Sequence, residues 1–182
     1  MPASFQQITL SEAAPQIRQA IRAGNIGAAV NLFFQTGETA STALFEKYSE
    51  VQQLYELNHI GINEWGKVQT QICQRILGTN GISETEIPER PSTEIKTKML
   101  QLLQANKTAE ALEFCESFGD QYLMLQAQLS IAAHQRGKGL IESEYYEATK
   151  SKINDALFEL MEQVPDDSVP PRTILGKLRR LF

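Results

Sequence analysis

The sequence predicts an all-α fold made of two tandem four-helix units that form a helical bundle. Three observations carry that prediction. Apolar residues recur at three- and four-residue spacing along most of the 182 residues. No stretch alternates apolar and polar residues long enough for a strand, and Asn80-Gly81 lacks the strand flanks that a hairpin needs. The third observation is internal. Shifted by 82, Ile17–Gly24 falls on Met99–Asn106, with Gln19 on Gln101 and Ala23 on Ala105. Ala29 then falls on Ala111, Val30 on Leu112, Leu32 on Phe114 and Gly37 on Gly119. Beyond Gly37 the shift drops to 81, placing Asn58 on Gly139, Ile60 on Ile141, Trp65 on Tyr146, Ile72 on Ile153 and Ile76 on Leu157. Core positions and helix stops are kept together. Gly24 pairs with Asn106 and Asn58 with Gly139, the two residue types that best tolerate the left-handed backbone ending a helix.

The elements follow from five punctuation zones: Gly24-Asn25, Gly37, Asn58 to Asn63, Gly78 to Pro91, and Gly137 to Ser143. Ile17, Ala20 and Ile21 form an apolar face in a helix over 12–23. Ala29, Val30 and Phe33 do so over 26–35, and Tyr48, Val51, Leu54 and Tyr55 over 40–57. Trp65, Val68, Ile72 and Ile76 complete the first unit with a helix over 63–77. The second unit reads as helices over 93–105, 108–117, 121–137 and 143–163. Short connections favour antiparallel neighbours, so each unit is expected to close as a bundle. Gly78 to Pro91 reads as a linker: Pro88 and Pro91 disfavour helix immediately before themselves. Ser92 or Thr93 can cap the helix that follows, with Glu94 suited to its first turn. The expected division is 1–80, a linker over 81–92, a second unit over 93–163, and a tail over 164–182.

That tail differs in character. After the break at 164–171 (VPDDSVPP), the segment 172–182 carries Arg172, Lys177, Arg179 and Arg180 and no acids, leaving the rest of the chain at −9 against a total of −5. Ile174, Leu175, Leu178, Leu181 and Phe182 can line one helical face. With Lys177, Arg179 and Arg180 they form a candidate partner-binding tail. It would dock on its own acidic bundle, engage a groove on another protein, or touch a membrane surface.

Composition bounds the function classes. Hydrophobic residues at 42% are too many for a disordered chain. The mild acidity lacks the basic stripe of a nucleic-acid binder. No apolar run approaches the ~18 residues of a membrane span. The start, MPASFQQITLSEAAPQ, lacks the basic and apolar regions of a signal peptide, so a soluble cytoplasmic protein is expected.

Chemistry-bearing residues are sparse. Cys73 and Cys115 lie on apolar helix faces, where a free thiol behaves as a small hydrophobe. Their spacing fits neither a zinc site nor a disulfide scaffold. Pairing Cys115 with His134, or Cys73 with His59, would make a nucleophilic dyad only with an exposed, acidified thiol. Glu142 and Glu144 start a helix two residues apart, so they complement its dipole rather than share a face. Gly24-Asn-Ile-Gly27 lacks the Lys-Ser/Thr of a phosphate loop. No cofactor, metal or catalytic residue is therefore expected. Trp65, the only tryptophan, aligns with Tyr146 and reads as core packing, with an interface anchor as the sharper alternative.

The segment Leu129 to Met161 (LSIAAHQRGKGLIESEYYEATKSKINDALFELM) resembles the hairpin of the bacterial effector-associated domains, carried by Gly139, Leu140, Ile141, Tyr146, Lys152, Ile153, Ala156 and Leu157. The first unit resembles it more faintly through Tyr48, Asn58, Ile60, Trp65, Ile72 and Leu77. Glu142 stands where the family usually has a capping Ser, with Ser143 able to serve, and Asn58 replaces the turn Gly. The resemblance implies a death-domain-like adaptor without catalytic residues, in bacterial defence or signalling. Such modules recruit protease-like or NTPase-like effectors and are candidates for self-association. The alternative is a tetratricopeptide-like scaffold, whose flavour Ala105–Leu112 carries, although the period here is far from ~34 residues. A small enzyme using Cys115 is the third class.

Overall fold

The computed structural model describes residues 8–79, 81–82, 93–115 and 119–162. All regular structure among them is α-helical: α1 (Leu10–Arg22), α2 (Ile26–Gln35), α3 (Thr39–Glu56), α4 (Ile62–Leu77), α5 (Thr93–Gln104), α6 (Thr108–Glu113), α7 (Asp120–Gly137) and α8 (Ser143–Glu162). The tail over 164–182, with the candidate residues Ile174, Leu175, Lys177, Leu178, Arg179, Arg180, Leu181 and Phe182, lies outside the described residues, as does most of the expected linker (83–92).

Helix α1 starts two residues earlier than the apolar pattern predicts because Thr9 and Glu12 form a capping box. The Glu12 N–H is bonded to Thr9 Oγ1, and the Thr9 N–H to the Glu12 carboxylate. The Thr9 hydroxyl also donates to that carboxylate, and with the Thr9 N–H it holds the Glu12 carboxyl below its ordinary range. Helix α6 ends at Glu113, four residues short of its expected length.

The turns repeat at the offsets read from the sequence. Gly24 (φ +70°) and Asn106 (φ +59°) are both left-handed, as are Asn58 (φ +57°) and Gly139 (φ +68°). Their hydrogen bonds repeat too. Asn25 N–H reaches the Ala20 carbonyl and Lys107 N–H that of Leu102. His59 N–H reaches Leu54, and Leu140 N–H reaches Gln135. These are the bonds by which a left-handed residue takes up the orphan carbonyls of a helix end. Even the aromatic contact recurs: Tyr55 stacks on Trp65 at 5.7 Å, and at the corresponding positions Arg136 lies over Tyr146 at 4.7 Å.

Each group of four helices encloses its own core. Ile17, Ile21, Ile26, Val30, Phe33, Ile72 and Ile76 fill the first, and Met99, Leu112, Cys115, Ile153 and Leu157 the second. Ile82, placed in the linker by the sequence, is only 2% exposed and belongs to the first core.

The two groups pack on each other through α7, which contacts α1, α4, α6 and α8. One side of α7 gives Leu123 and Ala127 to the first core, and the other gives Tyr122 and Leu129 to the second. Two polar contacts fix the seam. The Arg18 guanidinium, buried on α1, meets Asp120 at the start of α7 at 2.5 Å and also donates to the Ile82 carbonyl. Ser130 Oγ donates to the Arg22 carbonyl at 2.9 Å. Gly24 is required at this approach: a Cβ there would stand 3.0–3.1 Å from the backbone of Ser130 and Ile131.

Candidate functional site

A groove of about 830 Å³ opens on this seam. The α1–α2 turn and first turn of α2 form one wall, α3 and α4 the floor, and the end of α7 with Leu140 the other wall. A second groove of about 630 Å³ continues along α4, α7 and α8, sharing Ile62, Ile131 and Gln135 with the first.

The floor is aromatic. Trp65 projects from the first turns of α4, 7% exposed, between Tyr48 at 5.3 Å and Tyr55 at 5.7 Å. Trp65 is therefore packed, as the core reading expected, and it also lines the groove. Gln69, one helical turn along α4, is 8% exposed. Its amide is set beside the Tyr48 hydroxyl, while its Oε1 has no partner among the described residues. Burial pushes the Tyr48 phenol above its ordinary value, and the Gln69 contact opposes that shift. Gly27 lets α2 press onto this cluster, since a Cβ would lie 3.0 Å from the Tyr48 hydroxyl oxygen.

The groove has an electrostatic sign. Among the described residues that line it none is Asp or Glu, whereas His134 and Lys138 stand at the α7 end. The first turn of α2 also lines it and contains no acidic residue, so the positive end of that helix dipole is not neutralised within its own turn.

The sulfur chemistry lies elsewhere. Both cysteines are free and fully buried, while His59 and His134 are exposed. Cys115 Sγ donates to the Ala111 carbonyl and touches Met99 Sδ at 3.6 Å. Burial pushes both thiols up to about 12, the opposite of the lowered value a nucleophile needs. Both are therefore expected to resist iodoacetamide at pH 8 in the folded chain and to react fully in denaturant, as mass spectrometry would read. A pH dependence follows. Below the ordinary thiol value of 9.0 both groups are neutral, folded or unfolded, and their contribution is fully present. Between 9 and about 12 the unfolded chain loses these protons and the folded chain keeps them, so stability falls as pH rises, by up to about 1.4 kcal/mol per pH unit per thiol. The urea midpoint should drop between pH 8.5 and 10.5, and less so in a Cys73→Ala/Cys115→Ala variant.

The hairpin singled out by the sequence frames the groove: Gly139 makes the left-handed turn, and Leu140 is 47% exposed on the rim. Residues 94–165 match the family model of effector-associated domain 11. The matched segment spans α5 to α8, including the Gly139-Leu140-Ile141 turn. Comparison with the curated proteins, and with the solved structures, returns no match.

Sequence reasoning named Trp65, Tyr48 and Tyr55 but passed over Gln69 and Lys138. Gln69 left a signal: it lies four residues from both Trp65 and Cys73, a polar residue on a stripe that is otherwise apolar. Lys138 left none. Among the described residues no helix is long and apolar enough to cross a membrane.

Proposed function

We propose that this chain is a non-enzymatic adaptor in which two effector-associated units bridge protein partners in a bacterial defence or signalling system. The family match over 94–165 carries the reading. Residues 9–77 extend it to the first unit. Their left-handed turns, end-of-helix hydrogen bonds and aromatic contact sit at the offsets of 82 and 81 that relate the two halves of the sequence. A closed core in each unit also favours this reading over an open tetratricopeptide-like superhelix. In this reading the modules are death-domain-like, the partners are protease-like or NTPase-like effectors, and a second copy of the chain is a further candidate.

The test is affinity purification of the tagged chain from its native host, with mass spectrometry, comparing full length with a version ending at Pro171. Recovery of a protease-like or NTPase-like protein is expected, and its loss on truncation would assign the contact to the tail. Recovery of an unrelated complex, or of nothing, would overturn the adaptor reading.

A further inference from the structure

We propose that the groove on the seam between the two units binds an acidic peptide segment of a partner protein. The proposal rests on the adaptor reading and names the chemistry its partner would offer. Three independent features meet in this groove. The first is charge. Lys138 and His134 stand at one end, the un-neutralised amino-terminal turn of α2 at another, and among the described residues no carboxylate lines the space between. A carboxylate placed at that end meets the Lys138 ammonium and helix N–H dipoles, while the Glu56 carboxylate, held by Gln52 at 2.8 Å, stands behind the α3 side. The same sign disfavours the chain's own basic tail as the occupant.

The second feature is the Gln69 amide. It is more than nine-tenths buried in the floor, with its Oε1 unpartnered among the described residues. A buried polar atom without a partner is costly; this oxygen is closed to water in the free chain, and turning the amide brings it to the groove, where a ligand can satisfy it. Oxygen and nitrogen of such an amide are interchangeable by rotation. A peptide bond offers both a donor and an acceptor, so it pairs with whichever end faces the groove. A purely apolar ligand does not. The third feature is the apolar surface beside that amide, where Trp65 and Tyr55 at the floor and Leu140 at the rim can seat one apolar side chain next to the acid. Aromatic anchors of this kind, ringed by polar groups, dominate peptide and protein recognition. Because the walls come from both units, neither unit alone forms the site.

Selection of a phage-displayed random octapeptide library on the full chain tests this directly. Bound peptides should be enriched in Asp and Glu next to an apolar residue and depleted of Lys and Arg. The best binder, made as a synthetic peptide, should change the fluorescence of Trp65, the chain's only tryptophan, saturably. Lys138→Glu, at an exposed position, should weaken that binding about tenfold. A Gln69→Leu variant that folds normally should also bind more weakly. No enrichment, enrichment of basic peptides, or equal binding by Lys138→Glu would each overturn the groove as the site. The adaptor reading is scored separately. Recovery of the same host partner by wild type and Lys138→Glu would leave that reading standing and remove this one. An acid-selective groove in a chain that recovers no host partner would do the reverse.

Discussion

Replacing Phe33 with alanine is expected to destabilise the protein by about 3–5 kcal/mol, the largest effect of any single truncation in the first unit. Phe33 is fully buried on α2, in a core also built from α1, α4 and the crossing helix α7. Removing its ring forfeits the transfer energy of the ring and leaves a cavity that the surrounding helices collapse into only partly. A domain of this size commonly has ~5–15 kcal/mol in total, so the loss should appear as a drop in melting temperature of roughly 10 °C. Urea unfolding followed by circular dichroism would read it, with an unchanged m-value. The corresponding position in the second unit is Cys115, also fully buried. Cys115→Ala should cost far less, because a thiol is much smaller than a ring. A loss below about 1 kcal/mol for Phe33→Ala would contradict the packing described above.

The second large effect separates backbone strain from close approach. Gly24 and Gly139 have nearly the same left-handed φ, +70° and +68°. A Cβ on Gly139 would meet nothing within 4 Å, whereas one on Gly24 would press on the Ser130 and Ile131 backbone. Gly139→Ala should therefore cost only the conformational penalty, about 1–2 kcal/mol. Gly24→Ala carries the same penalty and must also push α7 off the α1–α2 turn, adding about 1–3 kcal/mol. Equilibrium unfolding of the two variants gives the difference directly. Equal losses would mean that the seam is not tightly packed at this turn. The seam hydrogen bond from Ser130 to Arg22 should also be lost in Gly24→Ala alone, visible as faster amide exchange around residues 127–131.

Much of this architecture is written locally. Helix stops at Gly24, Asn58, Asn106 and Gly139 could be read because few residues tolerate a positive φ, and those residues recur at matching offsets. The Thr9–Glu12 cap was legible in principle, as a Thr three residues ahead of a Glu before an apolar face. The packing of the two units was not legible, because α7 looks like any other amphipathic helix. Its double use emerges only by comparison with α3. Where α7 has Leu123, Ala127 and Ile131 facing the first unit, α3 has Thr42, Glu46 and Glu50. One copy of that face is apolar and its counterpart is polar, which is what a surface used once requires. The groove was illegible for a related reason. Its walls are separated by more than a hundred residues, and no local pattern reports that Lys138 stands across from Gly27.

The position of α7 has a consequence for the integrity of the chain. Leu123 and Ala127 belong to the first core although they lie beyond the junction in sequence. An engineered protease site between Ile82 and Thr93 would thus yield two fragments that stay together after cleavage, co-eluting from a gel-filtration column until denaturant is added. Expressed as separate pieces, the same fragments should find each other, a natural split protein whose reassembly could report on proximity inside a cell.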